Sequence, residues 1–446
     1  MPLNLDSIAA IATAPGKGGV GVVRISGQDL KSVAISILGR LPETRHATYS
    51  AFQDSDGTII DRGIAIYFSA PNSYTGEDVL ELQAHGGSGV LSLLLKRCLS
   101  ENIRLANPGE FTQRAFLNNK LDLVQAEGIA DLINATSEQA VRSANRTLEG
   151  DFSNAINLLV ENLIKLRVQI EASLDFPEEQ LELNNKQQYE LKLNQIKDEL
   201  EITFRMAQQG SILREGAQIV LVGQPNVGKS SLLNRLSGEE IALVSEVAGT
   251  TRDAIRQSIS IEGVPLHIID TAGLRKSQDI VEQMGIERTK QAITNADAVI
   301  VINDVKFNDS DELRKIFDLI PENIPRLYVI NKIDLVQQKS RVEVHDNNYY
   351  VYISAKTAEG IDLLKRRILQ MINWQGEEGV FMARERHLQA LLQAKQNLNR
   401  ASNEFERIEV LAEELRLAQE MLCKITGSFT SDDLLGEIFS NFCIGK

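Results

Sequence analysis

Residues 218 to 231 read Gln-Ile-Val-Leu-Val-Gly-Gln-Pro-Asn-Val-Gly-Lys-Ser-Ser, and no other stretch restricts the fold as tightly. A short β-branched run, Ile219 to Val222, feeds Gly223. Four residues follow, and then Gly228-Lys229-Ser230 opens an apolar-periodic segment, Leu232-Leu233-Asn234-Arg235-Leu236. The pattern predicts strand, phosphate-binding loop and helix. The glycines permit a turn tight enough for successive N–H groups to face phosphate oxygens, and the helix N-terminus adds its unpaired donors and dipole. In such a loop Lys229 reaches the β/γ-phosphates and Ser230 ligates Mg²⁺, with Asn226, Val227, Gly228 and Ser231 forming the rest of the cradle.

The residues that follow supply the other parts of a nucleotide site. Two β-like runs, Arg256 to Ile261 and Val264 to Ile269, flank a Glu262-Gly263 turn, and the second ends in Asp270-Thr271-Ala272-Gly273. An aspartate at a strand end can hold Mg²⁺ through water, and the glycine N–H can report the γ-phosphate. The polar segment Ser245-Glu246-Val247-Ala248-Gly249-Thr250-Thr251-Arg252-Asp253 offers Thr251 as a second Mg²⁺ ligand, so the two segments are expected to be switches. Ala298 to Ile302 and Leu327 to Ile330 read as buried parallel strands; the latter runs into Asn331-Lys332-Ile333-Asp334, and Tyr349 to Ile353 leads into Ser354-Ala355-Lys356.

Those last two motifs select the base. Guanine presents two adjacent donors that a single carboxylate accepts together, which adenine lacks, so Asp334 specifies guanine. The Ala355 N–H is expected to donate to the guanine carbonyl, and Lys332 to lie along the ring. The reading is a GTP-binding α/β domain. One departure matters for hydrolysis: Leu274 follows Gly273, where many GTPases place a water-orienting glutamine. Glu282, in the second switch, is the nearest carboxylate free to serve, with a solvated helix charge as the alternative.

Length and charge bound the remainder. At 446 residues, 43% hydrophobic and 24% charged, the chain is long enough for about three domains. A formal charge of −14 excludes a global basic field for nucleic acid, so an RNA partner must be held by local patches or with help from another protein. No basic n-region or long apolar run marks the N-terminus, which predicts a cytoplasmic protein without a membrane span. Cys98, Cys423 and Cys443 have no Cys-x-x-Cys spacing and are expected to be reduced thiols.

Residues 1–118 read as a compact α+β unit, with strands at Val20 to Ile25, Ile64 to Phe68 and Val79 to Leu82 and a helix from Val90 to Leu99. Gly16-Lys17-Gly18-Gly19 is rejected as a second phosphate loop, because no Ser/Thr follows the lysine and a strand follows the glycines. From Leu121 to Gln209 the pattern turns helical, with Asp175-Phe176-Pro177 as a break, and a second helical block runs from Phe381 to Thr426 without Gly or Pro. The simplest architecture is one all-α domain built from 119–212 and 376–446, with the GTPase domain, 213–375, inserted between them; two separate bundles are the alternative.

Several stretches together are similar to one family, the tRNA-modification GTPases of the MnmE/TrmE type. They are Gly18-Gly19-Val20-Gly21-Val22-Val23-Arg24-Ile25-Ser26-Gly27, Ser73-Tyr74-Thr75-Gly76-Glu77-Asp78, Pro108-Gly109-Glu110-Phe111, Gly249-Thr250-Thr251-Arg252-Asp253 and the terminal Phe442-Cys443-Ile444-Gly445-Lys446. The resemblance implies an N-terminal domain that binds 5-formyltetrahydrofolate or a related folate and dimerises, a helical domain split by the Ras-like GTPase domain, and action on tRNA. It further implies an FAD-dependent partner protein with which an aminomethyl or carboxymethylaminomethyl group is added to carbon 5 of the wobble uridine. By motif, Arg24, Glu81, Lys120 and Lys446 would contact the folate; Asn226, Ser245, Val247 and Thr250 would line a K⁺ site; and Glu282 falls on the family's acidic switch residue. A surface ion pair is the plain alternative for Arg24 and Glu81, and a GTP-switched RNA- or ribosome-associated binding module is the alternative function.

Overall fold

The structure is a computed structural model, and it describes residues 6–175, 183–238, 256–270, 290–306, 320–322, 324–346, 348–376, 379–427, 438, 442 and 445. The chain divides into two compact units, one of Met1–Ala130, Ser153–Ile164 and Arg416–Lys446, the other of Asp131–Phe152 and Lys165–Leu415.

The first unit begins with β1 (Ile8–Ile11), β2 (Gly18–Gly27), α1 (Lys31–Leu38), β3 (Thr48–Gln53), β4 (Ile59–Phe68), β5 (Asp78–Gly86), α2 (Ser88–Leu99), β6 (Arg104–Leu105) and α3 (Glu110–Leu117). Among the described residues the strands form one sheet in the order β3-β4-β5-β2-β1-β6. Alternation along β2 sends Val23 and Ile25 into a core with Leu80 and Leu82 of β5 and Leu91 and Leu94 of α2. Gly21 is required there, since a Cβ would lie 2.6 Å from the Leu91 side chain. Gly18-Gly19 open a strand and not a helix, in keeping with the rejection of a second phosphate loop. The sequence pattern misses β1, β3, β6, α1 and α3. Ile-Ala-Ala-Ile and Thr-Tyr-Ser-Ala-Phe-Gln carry too few large apolar residues to stand out, and their pairing partners make them strands. Leu123, Ala126, Ile438 and Phe442 form a small separate cluster with Phe116 against it.

The helical stretch consists of α4 (Leu123–Asn134), α5 (Glu138–Glu149), α6 (Asp151–Asp175) and α7 (Leu183–Glu215). The Ser137 side chain caps α5 by accepting the Ala140 N–H, and Gly150, at φ +97°, ends it. α6 is described as far as Asp175, and Phe176 and Pro177 of the expected break lie outside the described residues. The later block is also interrupted: Phe381 to Arg384 is extended, followed by α10 (Glu385–Ala401) and α11 (Ile408–Thr426). There is no Gly or Pro to foretell the second gap. Ser402 and Asn403 instead donate their side chains to the Leu398 and Asn399 carbonyls, competing with the backbone ladder. Within the second unit the extended segment is seated against helices. Phe381 stacks on Phe152, with ring centroids 4.4 Å apart, and the Thr147 hydroxyl accepts the Met382 N–H at 2.8 Å. Gly210 lets it approach, since a Cβ there would meet the Phe381 carbonyl at 1.8 Å.

Also in the second unit, β7 (Ala217–Val222), α8 (Lys229–Ser237), β8 (Arg256–Ile261), β9 (Val264–Asp270), β10 (Ala298–Asp304), β11 (Arg326–Asn331), β12 (Arg341–His345), β13 (Asn348–Tyr352) and α9 (Ile361–Met371) build an α/β layer structure. The sheet order among the described residues is β12-β13-β11-β10-β7-β9-β8, parallel except for the edge strands β8 and β12. Both faces are covered: Ile219 and Leu221 pack with Leu232 of α8 and Leu364 of α9, and Val220 and Val222 with Ile293, Ile320 and Tyr328. Burial on two faces explains the unbroken apolar runs of β7 and β10.

Candidate functional site

The carboxyl ends of β7, β9, β10 and β11 all open toward one rim, where ligands bind in parallel α/β sheets. Gly223 leaves β7 so close to β10 that a Cβ would sit 2.4 Å from the Ile302 carbonyl. Asn226 is left-handed at φ +65°, and Gly228 at φ +101°, where a Cβ would meet the Asn331 amide at 2.3 Å. This bent backbone delivers Ser230 and Ser231 to the first turn of α8. Lys229 is buried, and its ammonium donates to the Gly223 and Gln224 carbonyls at 2.6 and 3.0 Å. A β/γ-phosphate would compete for the same donors.

Asn331, assigned to the site from sequence without a role, ties two loops together. Buried to 2% exposure, it donates Nδ2 to the Val227 carbonyl at 2.9 Å, and its Oδ1 accepts the N–H groups of Lys332 at 2.8 Å and Ala355 at 2.9 Å. The Ala355 N–H expected at the guanine carbonyl is therefore engaged by Asn331, and a base would share it. Asp334 Oδ1 accepts the Ser354 hydroxyl at 2.7 Å, which fixes the carboxylate relative to the Ser-Ala-Lys loop.

Lys332 donates to the Asn226 carbonyl at 2.8 Å and pairs with Asp304 at 2.7 Å, leaving its aliphatic stem for a base. Burial alone would raise the Asp304 carboxyl, but hydrogen bonds from Lys332 and the Lys306 N–H outweigh it and hold the group below the usual carboxylate range. Sequence reading missed Asp304, although a signal existed: it terminates β10 just as Asp270 terminates β9. Val227 is buried beneath the loop, Ile333 beneath the base motif, and Lys356 stands exposed beside Ala355.

The remaining nucleotide candidates, Ser245, Glu246, Val247, Ala248, Gly249, Thr250, Thr251, Thr271, Ala272 and Gly273, lie outside the described residues, as do Glu282, Cys443 and Lys446.

In the first unit Arg24 and Glu81 are register partners across β2 and β5 and form an ion pair, Nη2 to Oε1 at 2.8 Å, both about one-fifth exposed. The Arg24 guanidinium also lies 5.4 Å from the Tyr74 ring centroid and 5.8 Å from that of Phe111. Lys120 donates to the Pro71 carbonyl at 3.0 Å. Gly445, at φ +99°, is so close to β1 that a Cβ would meet the Ile11 carbonyl at 2.3 Å. No described helix is long and apolar enough to cross a membrane, and no metal-ligating cluster of His, Cys, Asp and Glu occurs among the described residues.

Comparison with known proteins agrees with this arrangement. Residues 7–120 match the family model described as the GTP-binding protein TrmE N-terminus, and residues 123–443 match that of the MnmE helical domain. The tRNA modification GTPase MnmE of Nitrosomonas europaea is 56% identical over 447 residues, covering 99% of each chain. That of Nitrosomonas eutropha is also 56% identical, over 99% of this chain and all of its own, and that of Nitrosospira multiformis is 54% identical over 99% of both. Two family models and relatives matched end to end place the whole sequence, beyond its phosphate loop, and the chain belongs to the MnmE family of tRNA modification GTPases.

Proposed function

We propose that this GTPase depends on K⁺ and acts with an FAD-dependent partner to install an aminomethyl or carboxymethylaminomethyl group on carbon 5 of the wobble uridine of tRNA, drawing the one-carbon unit from a folate. The observation that carries the nucleotide part is the Asn331 junction, which holds the phosphate loop and both base-selecting loops in one bonded unit. GTP is held there, with Mg²⁺ on Ser230 and Thr251. Asn226 fits a monovalent cation, because its backbone is held left-handed by the Lys332 contact and its amide oxygen is a hard donor on the loop rim. Ser245, Val247 and Thr250 complete that shell, and Glu282 supports hydrolysis beside Lys229.

For the folate, Glu81 offers a carboxylate to the paired donors of a pterin edge, and Tyr74 and Phe111 offer flat faces around Arg24. Lys120 and Lys446 would meet the ligand's carboxylates. The reading places the folate-binding and dimerising domain at 1–118, the helical domain at 119–212 and 376–446, and the GTPase domain at 213–375, in a cytoplasmic homodimer. Nucleoside mass spectrometry of tRNA from cells lacking the protein tests it: the carbon-5 substituents of wobble uridine should disappear, and an unchanged nucleoside profile would overturn the assignment.

A further inference from the structure

Arg235 lies on α8, one turn and a half beyond Lys229, on a helix whose known task is to present its N-terminus to phosphate. Its side chain reaches back across the site. Nε donates to the Ala355 carbonyl at 3.3 Å and Nη2 to the Lys356 carbonyl at 3.0 Å. Ser231, Asn234, Arg235, Ala355 and Lys356 together line a cavity of about 430 Å³. Ala355 is thus held from two sides, its N–H by Asn331 and its carbonyl by Arg235.

We propose that Arg235 is a positioning residue for guanine recognition, fixing the Ser-Ala-Lys loop so that the Ala355 N–H is presented to the 6-oxo group of the base. The physical reason is the shape of the guanidinium. Its donors form a planar fork that can serve two successive carbonyls at once, and fixing both carbonyls limits rotation at Ala355, whose N–H stays at Asn331 Oδ1. Ser354 and Ala355 are buried but Lys356 is exposed, so the Arg235 fork holds the loop where it leaves the core. Arg235 also couples the two halves of the nucleotide: the helix that receives phosphate carries the clamp on the loop that receives the base.

The test uses the full-length protein and measures dissociation of GDP and of 6-thio-GDP, which keeps both donors taken by Asp334 but replaces the 6-oxo acceptor with a weakly accepting sulfur. Arg235→Ala should release GDP about tenfold faster, the scale of losing charge-assisted hydrogen bonds, while release of 6-thio-GDP changes less than about twofold, so that discrimination between the two falls. Arg235→Lys, which can serve one carbonyl, should recover part of the discrimination. Arg235 is exposed, and the variant should melt with the parent protein. Equal acceleration for both nucleotides would make Arg235 a general support of the fold, and no acceleration for either would make its two bonds incidental; each result overturns the proposal.

Discussion

The Ser354 hydroxyl donates to Oδ1 of Asp334 at 2.7 Å, and this bond decides what a substitution of the aspartate would do. In Asp334→Asn the same hydroxyl selects the amide rotamer whose oxygen takes the Ser354 proton, turning the NH₂ toward the base. Guanine's amine then faces a donor, whereas the carbonyl of xanthine at that position accepts one. GDP affinity should fall by about 10² or more and xanthosine diphosphate should gain, as measured by calorimetric titration of both. Unchanged GDP affinity would remove Asp334 from the site.

With no arginine finger identifiable in the sequence and Leu274 in place of the usual glutamine, hydrolysis needs another source of charge compensation, and the cation reading supplies one. Hydrolysis by the unaltered protein should be strongly faster in KCl than in NaCl at equal ionic strength. Because Asn226 sits at φ +65°, alanine there would add backbone strain to the loss of the amide, so Asn226→Gly is the cleaner probe. It should bind GTP and lose the salt difference, while Glu282→Ala should retain binding and hydrolyse slowly. Identical rates in the two salts would send the search to an arginine from a partner.

Asp131, 7% exposed, accepts Arg214 Nε at 3.0 Å and Arg384 Nη2 at 2.9 Å, fastening the end of the extended 381–384 segment to α7. Removing one partner of a buried ion pair costs about 3 kcal/mol, or roughly a hundredfold in a local opening equilibrium. Asp131→Ala should therefore raise amide hydrogen exchange at Met382 and Ala383 by about that factor. If exchange there is unaltered, the triad is not what holds the segment.

The first unit should be sensitive to acid for an identifiable reason. Burial pushes the Glu110 carboxyl up, but hydrogen bonds from Arg104, the Asn107 N–H and Arg114 outweigh it; a hydrogen bond from Arg104 leads the lowering of Asp6. A carboxyl depressed on folding contributes stability that is complete above its unfolded value, about 4, and is lost as pH falls through the folded value. Exchange protection of β1 and α3 should be constant from pH 7 to pH 5 and fall below about pH 4. Glu110→Gln should lower protection at pH 7 and flatten the acid limb; a parallel acid limb in that variant would point to other carboxylates.

What could be read in advance follows from where the chemistry is written along the chain. A phosphate loop needs its glycines, lysine and serine adjacent, and Asn331 to Asp334 and Ser354 to Lys356 are each short peptides, so the motifs of the candidate nucleotide site stand out in the sequence. Asp304 and Arg235 do not, because each works on a residue in another loop, Lys332 or Ala355, and has an ordinary setting in its own segment. The same reason hid Asp131, whose partner Arg384 is 253 residues away in sequence. Strand β12 was missed because, as an antiparallel edge, it alternates charge with valine and has no apolar run. The Arg24 and Glu81 pair, by contrast, was foreseeable from two strands in register, and only the flanking Tyr74 and Phe111 rings were new.

Gly445 against the carbonyl of Ile11, and Ile438 and Phe442 against Phe116 and Leu123, join the two extremes of this sequence within one unit. About 300 residues separate Leu123 from Ile438. At ribosomal speed that interval lasts roughly 15 to 60 s. Throughout it Phe116 and Leu123 have been made and the Ile438 and Phe442 side chains that pack with them have not. Completion of this unit is thus timed by translation, and the α/β sheet from β7 to β13 has the opportunity to fold first.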